Sequence, residues 1–227
     1  MTGLKELAAG AAALELQDGM IVGLGSGSTA RLAVAAIGQR VKAGLRIVGI
    51  PTSELTAAQA RELGIPLSTL AEHSRIDITI DGADEVELGT LNLIKGGGGN
   101  QLREKIVATA SSRLLIIVDE GKLVTRLGAR AKVPVEVAQF GWQATARTLT
   151  KLNGNPDLRL LVDGTPFITD GGNYILDCAF GALDPVATQR DLDGVVGVVE
   201  HGLFVGMTSQ VLVGTPEGVR RLDPPAP

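Results

Sequence analysis

Met20-Ile21-Val22-Gly23-Leu24-Gly25-Ser26-Gly27-Ser28-Thr29 is a short apolar strand running straight into a glycine-hydroxyl turn. A helical pattern from about Thr29 to Val41 follows it. The same strand-then-helix order recurs on both sides. Leu4 to Leu16 has helical spacing and is closed by Asp18-Gly19. Arg46 to Ile50 reads as a strand, leading through Pro51-Thr52-Ser53 into a helix that ends at Leu63. Ile76 to Ile80 is a third strand, ending at Asp81. Asn100 is placed to cap a helix from Gln101 to about Ser112 that would bury Leu102, Ile106, Val107 and Ala110. Leu114 to Val118 is apolar throughout, as a strand buried on both faces must be. Alternation of this kind specifies an α/β fold with an open, mostly parallel, Rossmann-like sheet over the first ~125 residues.

After Lys132 the order changes. Val133–Val137, Leu158–Val162, Tyr174–Ala179 and Val195–Val199 read as strands, with helices over Trp142–Leu152 and Pro185–Leu192. The sequence βαββαβ is that of a smaller ferredoxin-like α+β domain. Asn153-Gly154-Asn155-Pro156 and Asp170-Gly171-Gly172-Asn173 provide turns. Leu203-Phe204-Val205 and Val211-Leu212-Val213 are expected back on the first sheet. The expected division is therefore residues 1–130 plus 203–227 for the larger domain and 131–202 for the inserted one. Asp223 to Pro227 reads as a solvated tail.

Composition narrows the function. The chain has 227 residues, 44% of them hydrophobic, enough for a substantial core. Only 3% are aromatic, the net charge is −4 and no stretch is polybasic, so neither nucleic acid nor an anionic membrane is expected as a partner. A single cysteine, Cys178, lies in an alternating apolar run and reads as a small core residue. The alanine-rich N-terminus is interrupted by Lys5, Glu6 and Glu15, and no long apolar run occurs. The expectation is a soluble cytoplasmic protein.

Three clusters carry chemistry. Gly25-x-Gly27-x-x-Ala30 matches a dinucleotide fingerprint, yet the second strand ends in Pro51-Thr52-Ser53 and not in an acidic residue. Ser26, Ser28 and Thr29 suit a phosphate monoester or sugar hydroxyls better, although a tight turn that binds nothing has the same pattern. Asp81 and Asp84 follow a buried strand, where open parallel sheets bind ligands. They could equally form an Asp-Gly turn, or with Glu85 offer hard oxygen ligands; His73 and His201 stand apart from such a cluster, against a transition-metal site. Lys95 precedes Gly96-Gly97-Gly98-Gly99, whose entropy cost suits a close approach to ligand. Glu104 lies in the first turn of the next helix. Across one cavity, Glu104 could be a general base and Lys95 a stabiliser of a developing enediolate oxygen; otherwise Arg103-Glu104-Lys105 is a solvated face.

Gly-x-Gly-Ser-Gly-Ser-Thr at 23–29, Asp-Gly-Ala-Asp-Glu at 81–85 and Lys-Gly-Gly-Gly with Arg-Glu-Lys over 95–105 together resemble the signature set of A-type ribose-5-phosphate isomerases. Val133 to Val137, Asp184-Pro185 and Glu200-His201-Gly202-Leu203-Phe204 extend the resemblance almost end to end. The resemblance implies interconversion of D-ribose 5-phosphate and D-ribulose 5-phosphate in the non-oxidative pentose phosphate pathway, with no metal or organic cofactor, by a homodimer or homotetramer. It implies Glu104 as the base moving a proton between C1 and C2, Asp81 as the carboxylate that opens the furanose ring, and Asp84 and Lys95 as holders of the reacting oxygens. Ser26, Gly27, Ser28, Thr29, Gly96, Gly97 and Lys122 are implied as substrate contacts, and Lys5 as a phosphate contact. Asn100-Gln101 departs from the small or apolar residues more common there. Competing readings are an amino-sugar phosphate isomerase-deaminase, a non-enzymatic phosphosugar sensor and a nucleotide-binding protein.

Overall fold

The computed structural model describes residues 2–225. Its elements are α1 (Thr2–Leu14), β1 (Ile21–Leu24), α2 (Ser28–Lys42), β2 (Val48–Pro51), α3 (Glu54–Glu62), β3 (Ile78–Asp81), β4 (Glu85–Glu87), β5 (Leu93–Ile94), α4 (Gln101–Thr109), β6 (Leu114–Asp119), β7 (Leu123–Val124), β8 (Val133–Val137), α5 (Trp142–Lys151), β9 (Pro156–Leu158), β10 (Tyr174–Cys178), α6 (Pro185–Asp193), β11 (Val198–His201), β12 (Leu203–Phe204), β13 (Gln210–Thr215) and β14 (Gly218–Leu222). No helix among the described residues is long and apolar enough to cross a membrane.

The main sheet has the order β14-β13-β6-β3-β1-β2, parallel except for the β13–β14 hairpin. Connections from β1 lead to β2 on one side and then to β3 on the other. The order therefore reverses between β1 and β3, and a crevice opens beyond their carboxyl ends. On one face, Val22, Leu24, Ile78, Ile80, Leu115 and Ile117 meet the alanine stripe of α1 (Ala8, Ala9, Ala12, Ala13) and Ala33, Val34 and Ile37 of α2. Alanine there lets two helices lie close to each other and to the sheet. The other face packs Ile116, Val118, Val211 and Val213 against Val86, Leu93, Ala108 and Phe204.

A second sheet, β11-β8-β10-β9, is antiparallel throughout and has the 4-1-3-2 order of the ferredoxin-like arrangement. Two of its strands begin at positions other than those expected. β9 covers Pro156–Leu158 rather than Leu158–Val162, and β11 covers Val198–His201 rather than Val195–Val199. A third small sheet, β12-β5-β4-β7, lies between the two. Leu203-Phe204 belongs to it and not to the main sheet, because Leu203 and Phe204 pair antiparallel with Ile94 and Leu93. Val211–Val213 does join the main sheet, as β13.

α4 buries Val107, as its apolar pattern suggests, but leaves Ile106 outside and shelters polar residues as well. Gln101, Glu104, Val107 and Ala108 are buried, whereas Ile106 is 48% exposed. Asn100 occupies the N-cap position, but its side chain makes no cap hydrogen bond. Cys178 is a core residue, and burial pushes its thiol up to about 12. Of the expected tail, Asp223, Pro224 and Pro225 are exposed, and Ala226 and Pro227 lie outside the described residues.

Candidate active site

β1 and β3 deliver their ends side by side. The Gly25 amide donates to the Ile80 carbonyl (3.0 Å), and Asp81 Oδ1 accepts from the Ser26 (3.1 Å) and Gly82 (2.8 Å) amides. The approach is so close that a Cβ on Gly25 would fall 2.2 Å from Asp81 Oδ1 and 2.7 Å from its Cα. Glycine is required there by backbone proximity. Ser26 Oγ turns into a cluster of hydroxyls from the start of α3, 2.7 Å from Thr52, 2.8 Å from Ser53 and 3.2 Å from Thr56.

α2 begins at Ser28 behind Gly27, with no side-chain cap. Its first N–H groups are therefore open to an acceptor, and the helix dipole favours an anion there. Gly27, Ser28 and Thr29 line one wall of a cavity. Lys5 reaches the rim from α1, its ammonium donating to Ser28 Oγ (3.3 Å) and lying 3.9 Å from Asp119. Lys122, on the 3-10 turn Glu120–Lys122 after β6, lines the same cavity.

The glycine segment forms the opposite wall. The Gly97 amide donates to Asp84 Oδ2 (2.7 Å), and a Cβ at Gly97 would sit 2.8 Å from Asp84 Oδ1. Arg159, from beyond β9, donates to the Gly97 carbonyl (3.1 Å) while held by Asp177 (2.8 Å from Nε). Thus the ferredoxin-like sheet contributes a clamp on the loop that carries Gly96 and Gly97.

Lys95 and Glu104 meet at the cavity floor. Lys95 Nζ lies 3.1 Å from Glu104 Oε2, 2.8 Å from Asp81 Oδ2 and 2.6 Å from the Gly82 carbonyl. All three side chains are buried, and the two carboxylate oxygens have the ammonium as an ion-pair neighbour without an aligned hydrogen bond. Burial raises the Glu104 carboxyl, the Asp81 charge adds to the rise and Lys95 opposes it, leaving it at about 8. Burial likewise raises Asp81, against Lys95. For Lys95, burial works against the charge, but Asp81 and Glu104 outweigh it and hold the ammonium above the ordinary lysine value.

Most of the expected residues thus converge; Lys5, which reaches only Ser28 at the edge, and Asp81 do not line the cavity. Ser26, Gly27, Ser28, Thr29, Asp84, Lys95, Gly96, Gly97, Glu104 and Lys122 line the cavity, along with Gly82, Ala83 and Gly98. Asp81 stands behind Lys95 with both oxygens engaged. Glu85 points away and accepts from the Gly128 (2.7 Å), Arg130 (2.6 Å) and Ala131 (2.8 Å) amides, so it is not available beside Asp84 as a metal ligand. His201 has Nε2 3.1 Å from Asp193 Oδ1, away from the Asp81–Asp84 cluster. Among the described residues, no three His, Cys, Asp or Glu side chains group as metal ligands. Arg159, the Thr52-Ser53-Thr56 cluster and Phe204 were not anticipated. Of these, Thr52 and Ser53 at a strand tip and Phe204 in the Glu200–Phe204 segment were visible in the sequence, though none as a site residue.

Comparison with known proteins places the whole chain. The family model for ribose 5-phosphate isomerase A (phosphoriboisomerase A) matches residues 48–218. The ribose-5-phosphate isomerase A of Gloeobacter violaceus is 58% identical over 224 residues, covering 98% of this chain and 97% of its own. The solved structure of ribose 5-phosphate isomerase A from Methanocaldococcus jannaschii superposes with a TM-score of 0.94 at 41% identity, over 97% of this chain and 98% of that one. A D-ribose-5-phosphate isomerase solved in complex with phospho-erythronic acid gives 0.94 at 39% identity, over the same shares of the two chains. This chain belongs to the ribose 5-phosphate isomerase A family.

Proposed function

We propose that the cavity interconverts D-ribose 5-phosphate and D-ribulose 5-phosphate by proton transfer through an enediol, with Glu104 as the base. The observation that carries the assignment of roles is the buried Lys95–Glu104 pair at the floor of a cavity whose wall is an uncapped helix N-terminus. The reaction is redox-neutral. A proton leaves C2 of the open aldose and returns to C1, while the hydroxyl proton moves between the two oxygens. A carboxyl with a pKa near the working pH can both take and return that proton. Lys95 places fixed positive charge beside the base, where an enediolate would develop negative charge.

Ser28, Thr29 and the N-terminus of α2 suit a phosphate, with Lys5 and Lys122 as cations on either side. That remote group would orient the reacting carbons. Asp84 is the carboxylate available to a furanose ring in the cavity; Asp81 acts on the same chemistry through Lys95. We also assign residues 1–130 with 203–227 to a catalytic domain and 131–202 to an inserted domain that clamps the glycine loop through Arg159. A homodimer or homotetramer is the proposed assembly, supported by the exposed Leu160, Leu161 and Val162, and light scattering would test it. Work on a central-metabolism phosphosugar implies a cytoplasmic location.

The test of the reaction is proton–deuterium exchange at C2 of ribose 5-phosphate in heavy water. Ribulose 5-phosphate is expected, with deuterium entering to the extent that the proton held by Glu104 exchanges with solvent, and binding with neither exchange nor ribulose 5-phosphate would overturn the proposal in favour of a sensor.

A further inference from the structure

Lys95 owes its position to more than its carboxylate partners. Phe204 is fully buried on β12, the strand that pairs with the end of β5, one residue before Lys95. Its ring lies under the Lys95 ammonium, 5.3 Å from the centroid. The Lys105 ammonium, one residue beyond Glu104, lies 5.1 Å from the same centroid. Lys105 is bound in turn to Glu200 Oε1 (2.5 Å) and the His201 carbonyl (2.7 Å). The Lys95 amide donates to the Gly202 carbonyl (2.8 Å), and a Cβ on Gly202 would lie 2.2 Å from the Lys95 carbonyl oxygen. One five-residue segment, Glu200 to Phe204, therefore touches both the strand end carrying Lys95 and the helix carrying Glu104.

We propose that Phe204 is a positioning residue for the isomerisation: its aromatic face holds the Lys95 ammonium against Glu104, and the Lys105 contacts with Glu200 and His201 brace that ring from the helix side. The proposal rests on the reading of Lys95 and Glu104 as catalytic. An ammonium buried with two carboxylates can lean toward either one. The ring quadrupole adds a third, directional attraction, worth more here than at a surface because water is excluded. An aliphatic residue of similar volume would fill the space and supply no such attraction. The charged groups that bear on the ring and its two cations are Asp81, Asp84 and Glu104 on the Lys95 side, and Glu200, His201 and Asp193 on the Lys105 side.

The experiment is site-specific replacement of Phe204 by mono-, di- and trifluorophenylalanine, which weakens the quadrupole with little change of shape. Site specificity is needed because the chain has four phenylalanines. The expected result is a stepwise fall in kcat with fluorination, reaching about five- to thirtyfold, with KM little changed and the acid limb of the kcat profile moving to higher pH as Lys95 loosens from Glu104. Phe204→Leu should fall at or below the end of that series. A flat kcat and an unmoved limb across the series, with the fold retained, would overturn the proposal. Should the trifluoro protein unfold, the slope through the mono- and difluoro proteins decides. Lys95→Met separates the two levels: if it retains turnover, the catalytic reading fails; if it is inactive while the fluorination series is flat, only the role of Phe204 fails.

Discussion

Oε2 of Glu104 lies 3.1 Å from Nζ of Lys95, with both side chains withdrawn from water. Burial makes the carboxylate a stronger base, and the ammonium keeps its ionised form accessible. Glu104→Gln preserves size and removes the base. Its kcat should fall about 10²- to 10⁴-fold with KM nearly unchanged, measured by steady-state aldose–ketose conversion.

The pH dependence follows from the same group. Turnover in the aldose direction needs Glu104 ionised, so log kcat should rise with pH and level off above about 8. Asp81 lies on the far side of Lys95, and its charge raises Glu104. Asp81→Asn removes that repulsion and leaves Lys95 to Glu104 alone. The acid limb of the kcat profile should therefore move to lower pH in the variant. A limb that stays in place would show that Asp81 does not act through charge.

Stability should carry the opposite signature. Glu104 titrates near 8 in the folded chain against an ordinary 4.5, so between those values the native state holds a proton that the unfolded chain has released. Stability from this group is complete below 4.5 and is lost as pH rises through about 8. Glu104→Gln abolishes the titration. Urea unfolding should show the variant gaining on the parent as pH rises from 4.5 through about 8, with the gain confined to that window.

Gln101 offers a simpler test. It is fully buried beside Gly96, and neither its amide nitrogen nor its amide oxygen has a hydrogen-bond partner. Gln101→Leu replaces stranded polar atoms by apolar ones of similar volume. A stability gain of about 1–3 kcal/mol is expected, read as a higher urea midpoint at unchanged m.

These groups also show what could be read in the chain before folding. The parallel part of the main sheet was legible because β1, β2, β3, β6 and β13 fall in short apolar runs, β1 and β2 each leading through a turn into a helical period, and Asp81 falls at a strand's carboxyl end; the edge strand β14, with exposed Arg220 and Arg221, carries no apolar run and was not read. The glycine turn and the Lys95–Glu104 pair were legible for related reasons: small residues and charges cluster where backbone must come close. The buried face of α4 was read only in part, Val107 correctly and Ile106 not, because apolarity is a poor guide where a helix turns its chemistry inward; Gln101 and Glu104 share the sheltered stripe with Val107 and Ile106 faces out. β5 and β7 are two residues long, too short for any alternation to register, so the third sheet was missed and Leu203-Phe204 was placed on the wrong one. Arg159 and Phe204 act through tertiary neighbours far away in sequence, and no local pattern marks them.

The partnership of β6 with β13 has a consequence for biosynthesis. β6 ends at Asp119 and its parallel neighbour begins at Gln210, while Leu212 of that neighbour shares a core with the alanines of the first helix. A nascent chain must therefore have released the residues through Leu212 before its first helix finds a complete seat. Until then the β6 edge presents unpaired amides and carbonyls to any passing strand, so the growing polypeptide is most in need of a chaperone late in translation.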